Sequence, residues 1–565
     1  MRGLPVTLGT ARIWLTQMAL QLKPRQSLEG QHFHVAVIGG GINGAAIARE
    51  IARTGKKVLL VESNDFSSGT TSRSSRIIHG GLRYLEHGEI DLVRESLRER
   101  QRLLRERPHL VHPSQFLFLL DPDSKRSAMT VRAGLWLYRR LGASASNKGL
   151  AEFDIKRVEQ ALDSGRHWTL LNYEDAQCEF PERLVAEWVG EAAEAGAVVR
   201  NHTEALAINL AHGRVRGVLL RDRLTGKDQT IEASWVINCT GPWADRVCQR
   251  FAVKMAKPLL GGVRGSHIVL RRFAGAPTAS LYTEAADRRP VFILPWNEQI
   301  LAGTTEVADT ADPAKVKPSD EEIQYLLQTV AKLFPKAKLS GRDIHYSFAG
   351  VRPLPYAPGS KPSAVTRRHI LHDHAEDGAG RLISVLGGKL TTAAALAREC
   401  ARLTGCSSAE ESNAAPEVVT GSLDPMLDRS VGEIARIGAI SEESARSLLE
   451  WFGKRAMDVA HMAMVSPELR APICPHSTHI VAEAVEAYRQ EYAATLGDVL
   501  LRRVPLALGS CWSESCSREA AMRIGTVMGW DDRELGENLE AFEMERQAFL
   551  QKAPSALAAS PAAAD

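Results

Sequence analysis

The sequence predicts an α/β chain: a parallel sheet of the nucleotide-binding type, a run of antiparallel strands, and an all-helical C-terminal region. Three observations predict it. An apolar strand at residues 34–38 passes through a glycine turn into a helix at 45–53 and a second apolar strand at 58–61. Between 197 and 305, short runs alternate apolar and polar residues and are broken by glycines. From 429 to 550 the pattern is helical throughout.

Length and composition agree with this. The chain has 565 residues, and at roughly 150 residues per domain that makes two to four units. It is 44% hydrophobic and 24% charged, the balance of a soluble globular protein. A formal net charge of +3 with no basic block excludes an evident nucleic-acid surface. The 8 cysteines are scattered, which fits reduced thiols in a cytosolic compartment. No metal site is expected: there is no CxxC pair, and Cys511 and Cys516 lie far from any His-x-His run. No apolar run is long enough to cross a membrane. Residues 1–30 carry Arg2, Arg12, Lys23 and Arg25 against one acid, Glu29, with an apolar set of Ile13, Trp14, Leu15, Met18 and Leu22. That segment reads as a disordered extension, an interfacial anchor or a transit-like segment.

Further elements follow in order. Residues 90–107 read as a charged helix with Leu92, Leu97, Leu103 and Leu104 turned inward; 115–120 as a strand; 129–141 as a helix. Residues 197–221 suggest antiparallel strands, and 235–238 a strand running into Thr240-Gly241-Pro242. Short strands are expected at 267–270, 291–295 and 300–302, a helix at 321–333, a strand at 382–386 and a helix at 393–403. Residues 407–416 look like a linker, and 553–565 like a disordered Ala/Ser/Pro tail. Ser441 and Asp531 are expected helix caps.

The first motif is Gly39-x-Gly41-x-x-Gly44. Gly39 permits a tight turn, Gly41 lets backbone approach a diphosphate, and Gly44 allows close helix–strand packing. The helix N-terminus beyond it, with Asn43 in its first turn, offers free N–H groups to an anion. Glu62 ends the next strand, where a carboxylate accepts from ribose hydroxyls. Together these point to a dinucleotide. The hydroxyl-rich stretch 67–75, with Thr71, Ser72, Ser74 and Ser75, suits the longer wrap of FAD, as does the strand-ending Asn238-Cys239-Thr240-Gly241 turn. Cys239 is read as a small buried residue without a redox role.

Further segments make a specific pattern: Ile78-His79-Gly80-Gly81-Leu82-Arg83-Tyr84-Leu85-Glu86, Gly265-Ser266-His267-Ile268-Val269, Gly303-Thr304-Thr305, Ala349-Gly350-Val351-Arg352-Pro353-Leu354, and Gly387-Gly388-Lys389-Leu390-Thr391-Thr392. In order and spacing the chain resembles the FAD-dependent glycerol-3-phosphate dehydrogenases over about residues 34–550. Arg76 stands where that family commonly has Lys, and Glu306 where Asp often follows Gly-Thr-Thr; both keep their charge sign. The resemblance implies a Rossmann-like FAD-binding domain (about 34–110, 165–255 and 340–405). An antiparallel-sheet substrate domain (about 111–164 and 256–339) is interleaved with it, in the D-amino-acid-oxidase type of fold. A linker at 406–424 and a helical C-terminal cap at 425–550 follow, with an N-terminal extension at 1–33 and a tail at 551–565.

It also implies oxidation of sn-glycerol 3-phosphate to dihydroxyacetone phosphate, with the C2 hydride passing to flavin N5 and the electrons to a membrane quinone. The protein would be cytoplasmic, peripherally held at the inner face of the membrane, and often dimeric. By resemblance FAD lies against Gly39, Gly41, Asn43, Gly44, Glu62, Thr71, Ser72, Ser74, Ser75, Gly80, Thr240, Gly241, Gly387, Gly388, Leu390 and Thr391. Arg83, Tyr84, His267 and Arg367 would contact substrate, with Arg352 and Lys389 near the reacting oxygen or phosphate. A phosphate dianion calls for such cations. The hydroxyl proton needs a base, and at neutral pH histidine suits better than arginine; His79 is the expected base, with Arg352 stabilising the alkoxide. A glycerol-3-phosphate oxidase using oxygen, an amine or amino-acid oxidase, and a non-catalytic flavin-binding sensor stand as alternatives.

Overall fold

The computed structural model describes residues 25–142, 152–360, 365–406 and 424–554. They form two compact units. The larger comprises 29–185, 192–406 and the chain from 549; the smaller comprises 186–191 and the C-terminal stretch ending at 548.

The larger unit carries two sheets. Its strands, in chain order, are β1 (His32–Ile38), β2 (Val58–Val61), β3 (Ile77–Ile78), β4 (Val111–Leu120), β5 (Thr169–Cys178), β6 (Val198–Arg200), β7 (Thr203–Ala211), β8 (Arg214–Asp222), β9 (Asp228–Asn238), β10 (Val263–Leu270), β11 (Ser280–Glu284), β12 (Pro290–Trp296), β13 (Gln299–Gly303), β14 (Val307–Ala308), β15 (Ile344–Arg352), β16 (Ile370–Asp373) and β17 (Leu382–Leu386). Its helices are α1 (Ile42–Ala52), α2 (Ile90–Glu106), α3 (Ala128–Gly142), α4 (Glu152–Ala161), α5 (Pro181–Glu194, which runs on into the smaller unit), α6 (Ala244–Arg250), α7 (Asp320–Leu333) and α8 (Ala393–Leu403).

The first sheet runs β16-β17-β9-β1-β2-β6. Its inner strands are parallel: β2 and β9 flank β1, β6 lies beyond β2, and β17 lies beyond β9. Such strands are covered on both faces and need continuous apolar runs; Val58, Leu59, Leu60 and Val61 are all at most 1% exposed. The start of β9 pairs with β8, and β8 with β7, as an antiparallel extension. The chain leaves β1 toward β2 on one side, while β9 lies on the other. That is a topological switch point, where open α/β sheets bind ligands beyond the carboxyl ends of the strands.

The second sheet runs β14-β10-β13-β12-β11-β4-β5-β3, with β15 on the other side of β10. All its pairings are antiparallel except β11 with β4. Segments 165–178 and 344–352, which the sequence reading grouped with the FAD-binding part, lie here as β5 and β15. Neither announces its partner locally, because β5 pairs along its length with β4 across a long intervening stretch. Helix α7 covers the sheet with Ile323, Leu326, Leu327, Val330 and Leu333 against Ile268, Leu270, Ile293 and Ile300. Each such side chain stabilises by about 1.5–3 kcal/mol. Ser319 caps α7 by accepting from the Glu322 amide, and Glu322 bonds back to Ser319 N–H. Glu322 also accepts from Ser266 Oγ at 2.9 Å and Thr305 Oγ1 at 2.6 Å, so one capping residue pins two of the sequence motifs.

The smaller unit is helical as expected: α9 (Asp424–Gly438), α10 (Glu442–Phe452), α11 (Ala456–Ala463), α12 (Pro467–Arg470), α13 (Val481–Gln490), α14 (Leu496–Asp498), α15 (Glu514–Met528) and α16 (Asp532–Phe549). Ser441 caps α10, and Asp531 accepts from the Glu534 amide at 2.8 Å. The expected N-terminal segment before residue 25, the linker at 407–416 and most of the tail lie outside the described residues.

Candidate active site

Three glycine turns meet at the carboxyl ends of adjacent parallel strands: 39–44 after β1, 239–243 after β9 and 387–392 after β17. Only glycine fits the contacts. A Cβ on Gly44 would lie 1.8 Å from Gly39 O, one on Gly39 (φ +105°) 2.5 Å from Cys239 O, and one on Gly388 (φ +94°) 2.6 Å from Asn43 Nδ2. The first turn of α1 is therefore wedged between the other two turns. Gly41 has no side-chain cap partner, and the Ile42 amide reaches Thr71 Oγ1 at 3.1 Å.

Glu62 accepts from the Gly40 amide at 2.7 Å, the Asn64 amide at 2.9 Å and Ser63 Oγ at 3.2 Å. Burial pushes its carboxyl up, and the backbone donors pull against that. A carboxylate has about four acceptor sites, so a ribose hydroxyl finds one left. Among the described residues, Asn43 Oδ1, Ser67 Oγ and His267 Nδ1 are buried without a hydrogen-bond partner. Glycine turns at a switch point, a strand-ending acid and unsatisfied polar atoms fit an extended dinucleotide.

The hydroxyl stretch also makes bonds within the protein. Ser72 Oγ donates to Ser67 O, Ser74 Oγ accepts from the Arg76 amide, Thr70 Oγ1 donates to Val351 O, and Ser75 Oγ bonds His267 Nε2 at 2.8 Å. Thr240 Oγ1 donates to Asn238 Oδ1 at 2.6 Å. These hydroxyls shape the loops and fasten 67–75 to the second sheet. Arg76 is fully buried, pairs with Glu182 at 2.9 Å and lies over the Trp296 ring at 4.5 Å. Its bidentate fork explains why arginine serves here.

The cationic residues do come together. Arg367 Nη2 donates to Glu306 Oε1 at 2.8 Å, and Arg83 Nη1 lies 3.8 Å from the same oxygen. Arg352 donates to Thr304 Oγ1 at 2.9 Å; burial, then Arg367, pushes it down to about 10. Lys389 Nζ stands 3.9 Å over the Tyr84 ring and 3.4 Å from Ser96 Oγ. Burial lowers it to about 7, against the pull of Glu89 and Glu95. His79 is held down at about 3, by burial first and then by Lys389, Arg100 and Arg83. Its backbone N–H meets Thr391 Oγ1 at 3.1 Å, which ties His79 to the Lys389 turn. His267, 2% exposed, is also lowered to about 3 by burial and then Arg352. Arg83 and Arg367 share one carboxylate, Glu306, whose charge also acts on Arg352, and Lys389 adds a fourth basic group. The site is built for an anion.

A buried network behind it carried no sequence signal. The Gly80 amide donates to Tyr138 Oη at 2.7 Å, Tyr138 donates to Asp175 at 2.8 Å, and Arg100 donates to Asp175 at 2.6 Å. Tyr138 sits on α3, Asp175 on β5 and Arg100 on α2, so only the fold assembles them. Glu306, noted in sequence for its charge alone, is the acid that orders two arginines. Glu86 pairs with Arg126. His374 is a satisfied core residue, bonded to Asp377 at 2.7 Å and Ser384 at 2.8 Å, and Cys239 is buried with its thiol pushed well up.

Residues 34–402 match the family described as FAD dependent oxidoreductase, and 383–535 match the C-terminal domain of alpha-glycerophosphate oxidase. A glycerol-3-phosphate dehydrogenase of Synechocystis sp. is 37% identical over 504 residues, 85% of this chain and 90% of that protein. The D-erythritol 1-phosphate dehydrogenase of Brucella abortus is 39% identical over 358 residues, 63% of this chain and 70% of that one. The crystal structure of a glycerol-3-phosphate dehydrogenase from Bacillus halodurans, complexed with FAD, superposes with a TM-score of 0.73 at 23% identity, covering 95% of this chain and 98% of the other. That likeness is one of fold.

Proposed function

The chain belongs to the FAD-dependent oxidoreductases, in the family of the glycerol-3-phosphate dehydrogenases, and on that premise we propose that it oxidises sn-glycerol 3-phosphate at C2 to dihydroxyacetone phosphate. The observation that carries the substrate is the cation cluster: Arg83 and Arg367 on the Glu306 carboxylate, with buried Arg352 under the same charge and Lys389 adding a fourth basic group. A phosphate dianion offsets that surplus, whereas an amino-acid substrate would bring its own cation into it.

The glycine turns and Glu62 would hold FAD, which would supply a hydride acceptor, with a membrane quinone as the onward electron acceptor. The chain's own residues do the rest. Arg83 and Arg367, held by Glu306, bind the phosphate, and Lys389 joins them. Arg352 faces the developing alkoxide. His79, held down by burial first and then by the cations around it, is neutral at pH 7 and takes the hydroxyl proton; the incoming dianion counters the cationic part of that shift. Tyr84 and His267 orient the polyol.

A membrane acceptor needs a membrane face, and no described helix is long and apolar enough to cross a bilayer. Helix α3 buries Val131, Leu135 and Tyr138 and turns Met129 (76% exposed) and Trp136 (65%) outward, beside exposed Arg132, Arg139 and Arg140. An apolar pair set among arginines suits the anionic interface of a bilayer.

Anaerobic mixing of the purified protein with glycerol 3-phosphate should bleach the flavin absorbance. A quinone analogue should restore it faster than air-saturated buffer does. No bleaching overturns the substrate assignment, and faster recovery with oxygen makes the protein an oxidase. The Brucella abortus relative makes D-erythritol 1-phosphate the competing substrate, to be compared by kcat/KM. Loss of anionic-liposome binding in a Met129→Ser/Trp136→Ser variant tests the membrane face; unchanged binding removes α3 from that role.

A further inference from the structure

The smaller unit holds a group of side chains with no part in flavin chemistry. Cys474, His476 and Cys516 each offer one donor atom, and the three donors lie within 4.8 Å of one another. The sequence reading left them unlinked because Cys474 and His476 precede α13, whereas Cys516 follows it. The fold closes that gap.

The local backbone presents these donors. The Ile473 amide donates to His479 O at 2.8 Å, and the Ser477 amide donates to Cys474 O at 3.1 Å. Residues 473–479 thus form a tight knuckle, bridged at its base between Pro472 and Ile480. The knuckle turns the Cys474 thiol and the His476 ring to the same side. Burial pushes the Cys474 thiol up to about 11, and the His476 backbone N–H, pointing at its sulfur, pulls against that. Cys516 stands in the first turn of α15, the turn capped by Ser513. Its sulfur is 3.8 Å from His476 Nδ1, 3.3 Å from Ser513 Oγ and 3.5 Å from Cys511 O. Cys511, exposed at the surface, lies close enough to act electrostatically on Cys474.

We propose that this knuckle and the N-terminal turn of α15 form a structural Zn²⁺ site, with Cys474, His476 and Cys516 as ligands and Cys511 as the fourth. Three thiolates and an imidazole are the donor set of closed tetrahedral zinc centres. Zinc–sulfur bonds of about 2.3 Å and zinc–nitrogen bonds of about 2.0 Å place neighbouring ligand atoms roughly 3.5–3.8 Å apart. The observed 3.8 Å between Cys516 Sγ and His476 Nδ1 is at that spacing, and the 4.8 Å outer limit of the trio closes with small side-chain rotations. None of the eight cysteines is in a disulfide. The His372, His374 and Asp377 group of the larger unit, bonded within itself and to Ser384, offers no thiol. The metal would bolt the 473–479 knuckle to α15, joining two segments that otherwise meet through few hydrogen bonds.

The test uses the full-length flavoprotein, purified without chelator. Elemental analysis should give about one zinc per chain. Cys474→Ser and Cys516→Ser should each drop that to below a tenth, while FAD content and flavin reduction by glycerol 3-phosphate are kept. Cys511→Ser should retain zinc but lose it to a chelator at least tenfold faster. Should the cysteine variants fail to fold, the wild-type protein decides: alkylation of Cys474 and Cys516 should slow at least tenfold with zinc and recover after chelation. Cobalt substitution should give tetrahedral thiolate bands. Zinc-free protein with rapidly alkylated thiols, or a Cys511–Cys516 disulfide in the non-reduced peptide map, overturns the site.

Discussion

The Lys389 ammonium rests 3.9 Å above the Tyr84 ring, and its strongest polar contact in the structure is a 3.4 Å approach to Ser96 Oγ. A buried cation ordinarily demands a carboxylate. Here an aromatic face takes that place, and the lysine falls to about 7 as a result of burial. The arrangement leaves the amine only partly protonated near neutral pH until an anion arrives. Binding a dianion restores the lysine's affinity for its proton, so substrate binding at pH 8 should take up close to one proton. Calorimetry in buffers of differing ionisation enthalpy reads this directly. Lys389→Met should abolish the uptake and raise KM about 10–150-fold, the worth of one charge-assisted contact. Uptake unchanged in the variant would assign the proton elsewhere.

The same surplus of charge predicts stabilisation by simple anions. Inorganic phosphate at ten times its Kd should stabilise the apo larger unit by about 1.4 kcal/mol. Uncharged glycerol should leave its melting temperature in place, and Arg367→Met, which removes a phosphate-binding cation, should remove most of the phosphate effect. Equal shifts with glycerol and phosphate would argue against an anion site.

Flavin retention depends on Gly44, because a Cβ there would meet the backbone of Gly39, its O at 1.8 Å and its C at 3.0 Å. Gly44→Ala should purify without flavin absorbance. At Gly41 a Cβ meets only Thr71 Oγ1, at 3.2 Å, so Gly41→Ala should fold normally and lose flavin affinity alone. Full flavin occupancy in Gly44→Ala would mean that α1 can move away from β1.

Much of this was legible in the sequence, for identifiable reasons. A β-α-β unit is local: Gly39, Gly41, Gly44 and Glu62 all act within a few turns of chain. The cation motifs were legible because Arg83, Arg352 and Lys389 each sit in a glycine-rich segment whose residue order is distinctive. What escaped was assembled by the fold alone. Nothing near Asp175 announces that β5 carries it to Arg100 of α2 and Tyr138 of α3. The hydroxyls at 67–75 were seen, but their use was not: composition marks a polar loop, and whether it bonds a ligand or itself depends on tertiary geometry. Cys511 and Cys516 were set aside for want of a His-x-His run nearby, and Cys474 and His476 come close to Cys516 only because α13 turns the chain back.

Acid should loosen the flavin-holding unit through its buried histidines. His267 holds to about 3 in the folded state against 6.5 ordinarily, so the unfolded chain binds the proton first as pH falls. The stabilisation is complete above pH 6.5 and is lost progressively toward pH 3. The slope is about 1.4 kcal/mol per pH unit for each such histidine. His79, lowered to about 3 as well, adds a second proton over the same window. Urea midpoints followed by flavin release should therefore fall steeply below pH 6, and His267→Asn should reduce the slope by about one proton. An unchanged slope would mean that His267 stays protonated when folded.

The buried Asp175–Arg100 pair supports the loop that carries His79, and its removal can be told from removal of a catalytic group. Asp175→Asn leaves the Arg100 guanidinium, 3% exposed, without its counter-charge, at a cost of about 3–5 kcal/mol. It also weakens the acceptor that orients Tyr138 toward the Gly80 amide. Stability and kcat should fall together, with KM little changed, because no cation that binds phosphate is lost. Adding Arg100→Met to Asp175→Asn removes the stranded charge and should recover most of the stability, while kcat stays low as long as Gly80 lacks its anchor. Recovery of both would reduce the network to a stability device. Recovery of neither would show that Arg100 packs against the loop through its stem as well as its charge.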